Sequence, residues 1–168
     1  MRFFTSDQHF YHENIVRYCG RPFKNAHQMN RTIIERYNSV VGNTDVCYIL
    51  GDFTMTANAD QIEPIVRKLN GRKILVLGNH DRLRPFSYVE LGFESVHTSL
   101  DLIIAGERVT CIHDPAPACA VGVTNRWLVG HVHGLFKFLN NSSVTNVGVD
   151  AWDFTPVSEE QLLEQWRG

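Results

Sequence analysis

In the first half of the chain, short apolar runs alternate with segments of helical spacing. Residues 3–6 and 46–50 read as buried strands, the second as Val46-Cys47-Tyr48-Ile49-Leu50, and residues 73–77 form a third run of this kind. Between the first two, residues 26–41 place Met29, Ile33, Ile34, Tyr37, Val40 and Val41 on one helix face, and Gly42 closes the segment. Residues 60–69 repeat the device with Ile62, Ile65, Val66 and Leu69. Pro64 falls in the first turn or so of that helix, where a missing N–H costs little. A short helical turn at 14–18 is ended by Gly20, with Pro22 stopping any continuation.

The second half changes character. Residues 102–105 and 108–113 flank Gly106-Glu107 and predict a hairpin. Residues 127–129 predict a strand running into Gly130-His131-Val132-His133. Residues 143–149 predict a further strand, although Val144, Val147 and Val149 do not alternate strictly. Ser158 is placed to cap a last helix through Trp166, with Glu160 and Gln161 in its first turn. Strand-helix-strand order followed mostly by strands predicts an α/β protein of two packed sheets with helices outside. In such folds, ligands gather beyond the strand ends, where loops converge.

A length of 168 residues fits one domain, here taken as 1–168, and a hydrophobic fraction of 43% supports a sizeable core. Net charge is −2, from 16 Lys+Arg against 18 Asp+Glu. That balance lacks the basic excess of a non-specific nucleic-acid binder. Cys19, Cys47, Cys111 and Cys119 show no Cys-x-x-Cys spacing and are expected as reduced, mostly buried thiols. The first residues lack a hydrophobic signal region and no apolar run approaches membrane-spanning length. A cytoplasmic protein without membrane association is expected.

Chemistry concentrates where predicted strands run out. Asp7-Gln8-His9 puts two ligand types at i and i+2, which share a face in extended backbone, and His131-Val132-His133 repeats this. Asp52 follows Gly51, and its carboxylate has two oxygens able to bridge two cations. In Gly78-Asn79-His80-Asp81, Asn79 offers a neutral carbonyl oxygen to a hard cation. His80 points elsewhere than its neighbour and is better suited to donate a proton to a leaving group. Asp81 is expected to cap the following turn more than to orient His80. His113 adds a nitrogen ahead of Asp114-Pro115. Each piece alone has an ordinary reading as a turn, a cap or a core residue. Yet five of the eight histidines fall within this set. Together the pieces predict a metal-dependent hydrolase, most readily of phosphate esters. His12 and Arg21 lie shortly beyond the first pair and are candidates for substrate contact, Arg21 through its bidentate fork. His27 and His97 lack a metal-like partner and are expected at the surface.

The order Asp-x-His, Gly-Asp, Gly-Asn-His-Asp, His, Gly-His-x-His over residues 7–133 resembles the calcineurin-like metallophosphoesterase superfamily. The tail from Asn146 through Asp150 to Ser158 also resembles its small bacterial and phage members. Asp81 stands where many relatives have Glu, and no cap domain is inserted. The resemblance implies a four-layer α/β/β/α sandwich. It implies that Asp7, His9, Asp52 and His133 hold one divalent ion and Asp52, Asn79, His113 and His131 a second. His80 would be the general acid, and a hydroxide bridging the ions the nucleophile. Mixed N and O donors without thiolate suit Mn²⁺ first, with Fe or Zn²⁺ as alternatives. The expected activity is a phosphodiesterase acting on a small ester such as a nucleotide, a cyclic nucleotide or a short oligonucleotide. A phosphomonoesterase (a protein phosphatase included) and a small nuclease stay open as alternatives. A non-catalytic scaffold would be expected to lose ligands or His80, and every position is filled.

Overall fold

The computed structural model describes residues 1–119 and 125–167. The first half runs β1 (Arg2–Thr5), α1 (Glu13–Tyr18), α2 (Ala26–Val40), β2 (Val46–Ile49), α3 (Ala59–Lys68), β3 (Arg72–Val76), α4 (Pro85–Glu90) and β4 (Ser95–His97). The second half runs β5 (Ser99–Ile104), β6 (Glu107–Ile112), β7 (Arg126–Val129), β8 (Phe138–Leu139), β9 (Val144–Asn146), β10 (Val157–Ser158) and α5 (Glu159–Arg167). A 3-10 turn, Val149–Ala151, separates β9 from β10. Among these residues no helix is long and apolar enough to cross a membrane.

Two five-stranded mixed sheets result. The first has the order β10-β1-β2-β3-β4, with β1 to β4 parallel and β10 antiparallel to β1. The second has the order β5-β6-β7-β9-β8, in which β6, β7 and β9 are parallel and the outer strands β5 and β8 run against them.

Alternation along the strands of the first sheet divides its side chains between two cores. Phe3, Cys47, Ile49 and Leu75 pack with Ile15, Ile33, Tyr37, Ile62 and Tyr88 of helices α1 to α4. Phe4, Tyr48, Leu50 and Val76 turn to the other face and meet Ile104, Val109, Cys111 and Leu128 of the second sheet. Phe4 stacks on Tyr48 at 5.2 Å between ring centroids. Leu162 of α5 completes this inter-sheet core. Its helix begins with a reciprocal cap: Gln161 N–H donates to Ser158 Oγ (3.1 Å) and Ser158 N–H to Gln161 Oε1 (2.9 Å).

The expected outer helical layer over the second sheet has no counterpart among the described residues. There Val129 and Val144 are covered by Ala118, Phe136 and Leu139, none of them helical. The hairpin turns on Ala105-Gly106, both at positive φ (49° and 84°), one residue earlier than the sequence suggests. The strand expected over 143–149 ends at Asn146 because the backbone turns from β7 to β1 at Val147, whose N–H still donates to Val129 O (2.8 Å). Ser6 N–H donates to Val147 O (3.1 Å), and Val149 N–H donates back to Ser6 O (3.0 Å). Helix α4 and strands β4, β8 and β10 are too short to register as periodicity.

Phe4→Ala would leave a cavity at the centre of the inter-sheet core. A loss of about 3–5 kcal/mol is expected, read as a lower urea midpoint at unchanged slope, with chelator present so that bound cations do not mask it.

Candidate metal centre

Asp7 and His9 follow β1, Asp52 follows β2, Asn79 and His80 follow β3, His113 follows β6, and His131 and His133 follow β7. All five are parallel strands read at their carboxyl ends, so the seven candidate ligands and His80 meet at one edge. The two sheets are brought together there by the bridge between Ser6 and Gly148. Two glycines permit the approach. A Cβ on Gly51, which has φ +88°, would lie 2.6 Å from both Gly78 N and His113 Nδ1. A Cβ on Gly130 would lie 2.7 Å from Asp7 Oδ2.

The backbone that carries the ligands is not the extended chain expected of the i, i+2 pairs. Asp7, His9, Asp52, His131 and His133 all sit in the left-handed region, with φ of 59°, 52°, 52°, 70° and 49°. Such conformations cost about 1–3 kcal/mol each for residues other than glycine, and they cluster where the surrounding structure enforces them. Here the enforcing contacts are visible. Asp7 N–H donates to Gly51 O, and His9 N–H to Asp52 O, both at 3.0 Å. His131 N–H meets both oxygens of the Asp7 carboxylate, at 3.1 and 3.0 Å.

The candidate ligands fall into two donor groups, each within 4.8 Å internally: Asp7 with His9 and His133, and Asp52 with His113 and His131; His133 also belongs to a third group with Cys19 and Asp150. Asp52 Oδ2 lies between them, 3.5 Å from His9 Nε2 and 3.4 Å from His113 Nε2. Asn79 Oδ1 is 3.1 Å from His113 Nε2. His113 Nδ1 sits 2.8 Å from Leu50 O, so that it donates there and leaves Nε2 to face the site.

Electrostatics fit cation binding. Both ring nitrogens of His9 are buried without a hydrogen-bond partner, and desolvation takes its pKa down to about 3. A neutral imidazole with two unsatisfied buried nitrogens is costly unless something coordinates it. Desolvation also pushes the Asp7 carboxyl up. For Asp52, burial raises the pKa, but the hydrogen bond and charge of His113 outweigh it and take the carboxyl to about 2. Burial acts in the opposite sense on His113; contact with Asp52 and the Asp7 charge win, lifting it to about 9.

Supporting residues complete the edge, most of them without a signal in motif or periodicity. Asp81 neither orients His80 nor caps its own turn only. Its carboxylate accepts from Asp52 N–H (2.8 Å), Phe53 N–H (3.0 Å) and Gly78 N–H (2.9 Å), tying the β2 and β3 loops together. Burial nevertheless holds that carboxyl up at about 6. Asn146 donates to His133 O (2.6 Å) and Phe136 O (2.7 Å) and accepts from Gly148 N–H, fixing the loop that presents His133.

Arg21 corrects an expectation. Its side chain is buried and lies beneath the site, with no group left for a phosphate. Nε and Nη2 grip the Asp150 carboxylate at 2.9 and 2.7 Å, while Nη1 and Nη2 bond Gln8 O and Asp7 O. Asp150 Oδ2 in turn sits 3.3 Å from His133 Nδ1. This hydrogen bond raises the His133 pKa. The guanidinium thus holds a carboxylate that orients a histidine. His12 remains half-buried at the rim, 5.6 Å from the His9 ring and 6.5 Å from the His80 ring. His80 N–H donates to Asp52 Oδ1 at 2.9 Å, which keeps the residue beside the shared carboxylate. His27 is exposed, as expected, whereas His97 is half-buried, with Nε2 2.9 Å from Ser95 Oγ.

Fold and site together define an α/β protein with His/Asp groups suited to metal at the carboxyl edge of two mixed sheets. The chain is 30% identical over 169 residues to the uncharacterized protein MJ1445 of Methanocaldococcus jannaschii, a match spanning 96% of this chain and 89% of the relative. It belongs to that protein's family. No family model matches the chain. Among solved structures, a protein of unknown function from Aquifex aeolicus, AQ665, superposes with a TM-score of 0.76 at 28% identity, over 98% of both chains. A novel archaeal phosphodiesterase shares the fold at 20% identity, with a TM-score of 0.53 over 88% of this chain and 82% of its own.

Two measurements follow from this geometry. In the metal-free protein His113 carries a proton up to about pH 9, and a coordinating imidazole must be neutral. Cation binding at pH 7.5 is therefore expected to expel about one proton through His113, a release that fades as pH rises past 9. Calorimetric titration in buffers of different ionisation enthalpy reads this directly, and His113→Asn should abolish it. Separately, Asp150→Ala frees the His133 ring and strands the Arg21 charge. Metal affinity is expected to fall about 10–100-fold, measured by competition with a chromophoric chelator.

Proposed function

We propose that this protein is a binuclear metal-dependent phosphoesterase of the calcineurin-like metallophosphoesterase type, acting on small phosphodiesters. The observation that carries the reading is the seat of Asp52 Oδ2 midway between His9 Nε2 and His113 Nε2, with the His9 nitrogens otherwise unsatisfied. One carboxylate shared by two nitrogen-bearing groups suits two cations better than one. Asp7, His9, Asp52 and His133 would hold the first ion and Asp52, Asn79, His113 and His131 the second. The oxygen and imidazole donors, without thiolate, suit Mn²⁺, with Fe or Zn²⁺ as alternatives. Bound there, such ions supply neutralisation of the phosphate charge and activation of a water. On this reading the two mixed sheets correspond to the central layers of the metallophosphoesterase sandwich.

The residues of the chain do the rest. Asn79 contributes an oxygen without adding negative charge, which keeps the site receptive to an anionic substrate. His80, anchored through its backbone to Asp52 Oδ1, supplies a proton to the departing oxygen. Charge favours a diester. Among the described residues, none of the side chains lining the two clefts that flank the centre is Lys or Arg, and Arg21 is spent on Asp150. A diester phosphate carries one negative charge and a monoester two at neutral pH, so the diester asks less of a site without side-chain cations.

The test is hydrolysis of bis(4-nitrophenyl) phosphate by protein loaded with Mn²⁺. Activity that is lost on chelation and restored by Mn²⁺ is expected, and fully loaded but inactive protein would defeat the proposal. His80→Ala should retain both metals by elemental analysis. It should lose about 10²–10⁴-fold on alkyl or nucleotide esters and much less on nitrophenyl esters, whose leaving group needs no proton. Equal losses across the series would instead make His80 a phosphate-binding group.

A further inference from the structure

The two clefts flanking the centre differ in chemistry. On the side of Asn79, His113 and His131 the opening holds about 380 Å³ and includes Thr98 and the Asp114 carboxylate. On the side of His80 it holds about 590 Å³; beyond the candidate ligands His9 and His133 it is lined by Ile15, Tyr18, Cys19 and Met55 with Asn14 and His12. Among the described residues, no carboxylate, lysine or arginine lines this second cleft.

Tyr18 is its most unusual member. It stands at the end of α1 with 75% of its surface exposed, and it meets the His12 ring edge-on at 6.2 Å between centroids. A large aromatic ring is thereby left open in the same cleft as His80, with His12 next to both. The Met55 thioether is a soft surface suited to aromatic contact. Asn14 brings an amide that both donates and accepts. An aromatic platform, a polarizable wall and one amide, all without charge, match a planar neutral heterocycle with hydrogen-bonding edges. A leaving group bearing further phosphates would find no cation here, and a small alkyl group would leave the Tyr18 ring uncovered.

We infer that the cleft beside His80 is a subsite for a nucleoside leaving group, with its base against Tyr18 and Met55 and within reach of Asn14. This rests on the phosphodiesterase reading above and names its substrate class as nucleoside-bearing phosphodiesters. In the reaction, the water oxygen forms the new bond to phosphorus and the bond from phosphorus to the nucleoside oxygen breaks. The His80 proton goes to that oxygen, and the proton lost by water passes to solvent, from which His80 is reprotonated.

Thymidine 5′-(ethyl phosphate) tests this within one molecule, because both of its ester oxygens are primary alkoxides when they depart. Hydrolysis by the Mn²⁺-loaded protein is expected to give thymidine plus ethyl phosphate in preference to ethanol plus thymidine 5′-phosphate, by about tenfold. Tyr18→Ala should bring the partition close to parity, and Tyr18→Phe, which keeps the ring, should preserve it. A product ratio is independent of how much of each variant is folded or metal-loaded. Parity in the unaltered protein, an identical partition in Tyr18→Ala, or refusal of this substrate by protein that hydrolyses bis(4-nitrophenyl) phosphate would overturn the subsite alone. Inactivity toward both esters would remove the phosphodiesterase reading and the subsite with it.

Discussion

The structure depends on a short stretch of shared backbone at Ser6. Its N–H and C=O bond Val147 and Val149, so the end of a strand in one sheet is stitched to the segment leaving the other. Asp7, His9, Asp52 and Asn79 follow strands of one sheet, His113, His131 and His133 follow strands of the other, and the stitch brings the two sets together. The Asp7 carboxylate repeats the connection from the side-chain direction by accepting from His131 N–H. The ligands therefore do not merely lie near each other: the hydrogen bonds that join the sheets are made by the ligand segments themselves.

That arrangement gathers buried carboxylates and imidazoles whose electrostatics balance only in part. Asp52 and His113 satisfy one another, while His9 is left neutral with nothing to bond. Around them the chain has arranged supports that hold the candidate ligands in place. Asp81 clamps two loops, Asn146 fixes a third, and Arg21 with Asp150 turns His133 toward the centre. The left-handed backbone at five ligand positions is affordable only because these supports over-determine it.

Much of this was legible in the sequence, because β1, β2, β3 and β7 are largely apolar runs, and β6 a hairpin strand, that end abruptly in ligand-type residues. The positions of those ends follow from hydrophobic pattern alone. What the pattern could not give was the conformation just beyond them. A left-handed Asp or His leaves no trace in periodicity, and so the i, i+2 spacing looked like extended chain. Arg21 misled for a related reason. A charged residue after a ligand motif reads as solvent-facing, and only the distant Asp150, 129 residues away, explains its burial. The two-residue strand β10 and the six-residue helix α4 were hidden because so few residues carry no period.

The pairing of β10 with β1 has a consequence for how the molecule is made. β1 leaves the ribosome long before the strand that closes its free edge, which lies at Val157–Ser158. At ordinary rates of synthesis the interval is on the order of 10–30 s. Through it, the β1 edge carries unpaired N–H and C=O groups beside Phe3 and Phe4 and is open to pairing with another nascent chain. The donor cluster is equally unfinished, since the Val147–Val149 stitch and the Asp150 support arrive only just before β10. A growing chain thus keeps its candidate ligands scattered until Asp150 has emerged, and any ion bound earlier would meet only part of the set.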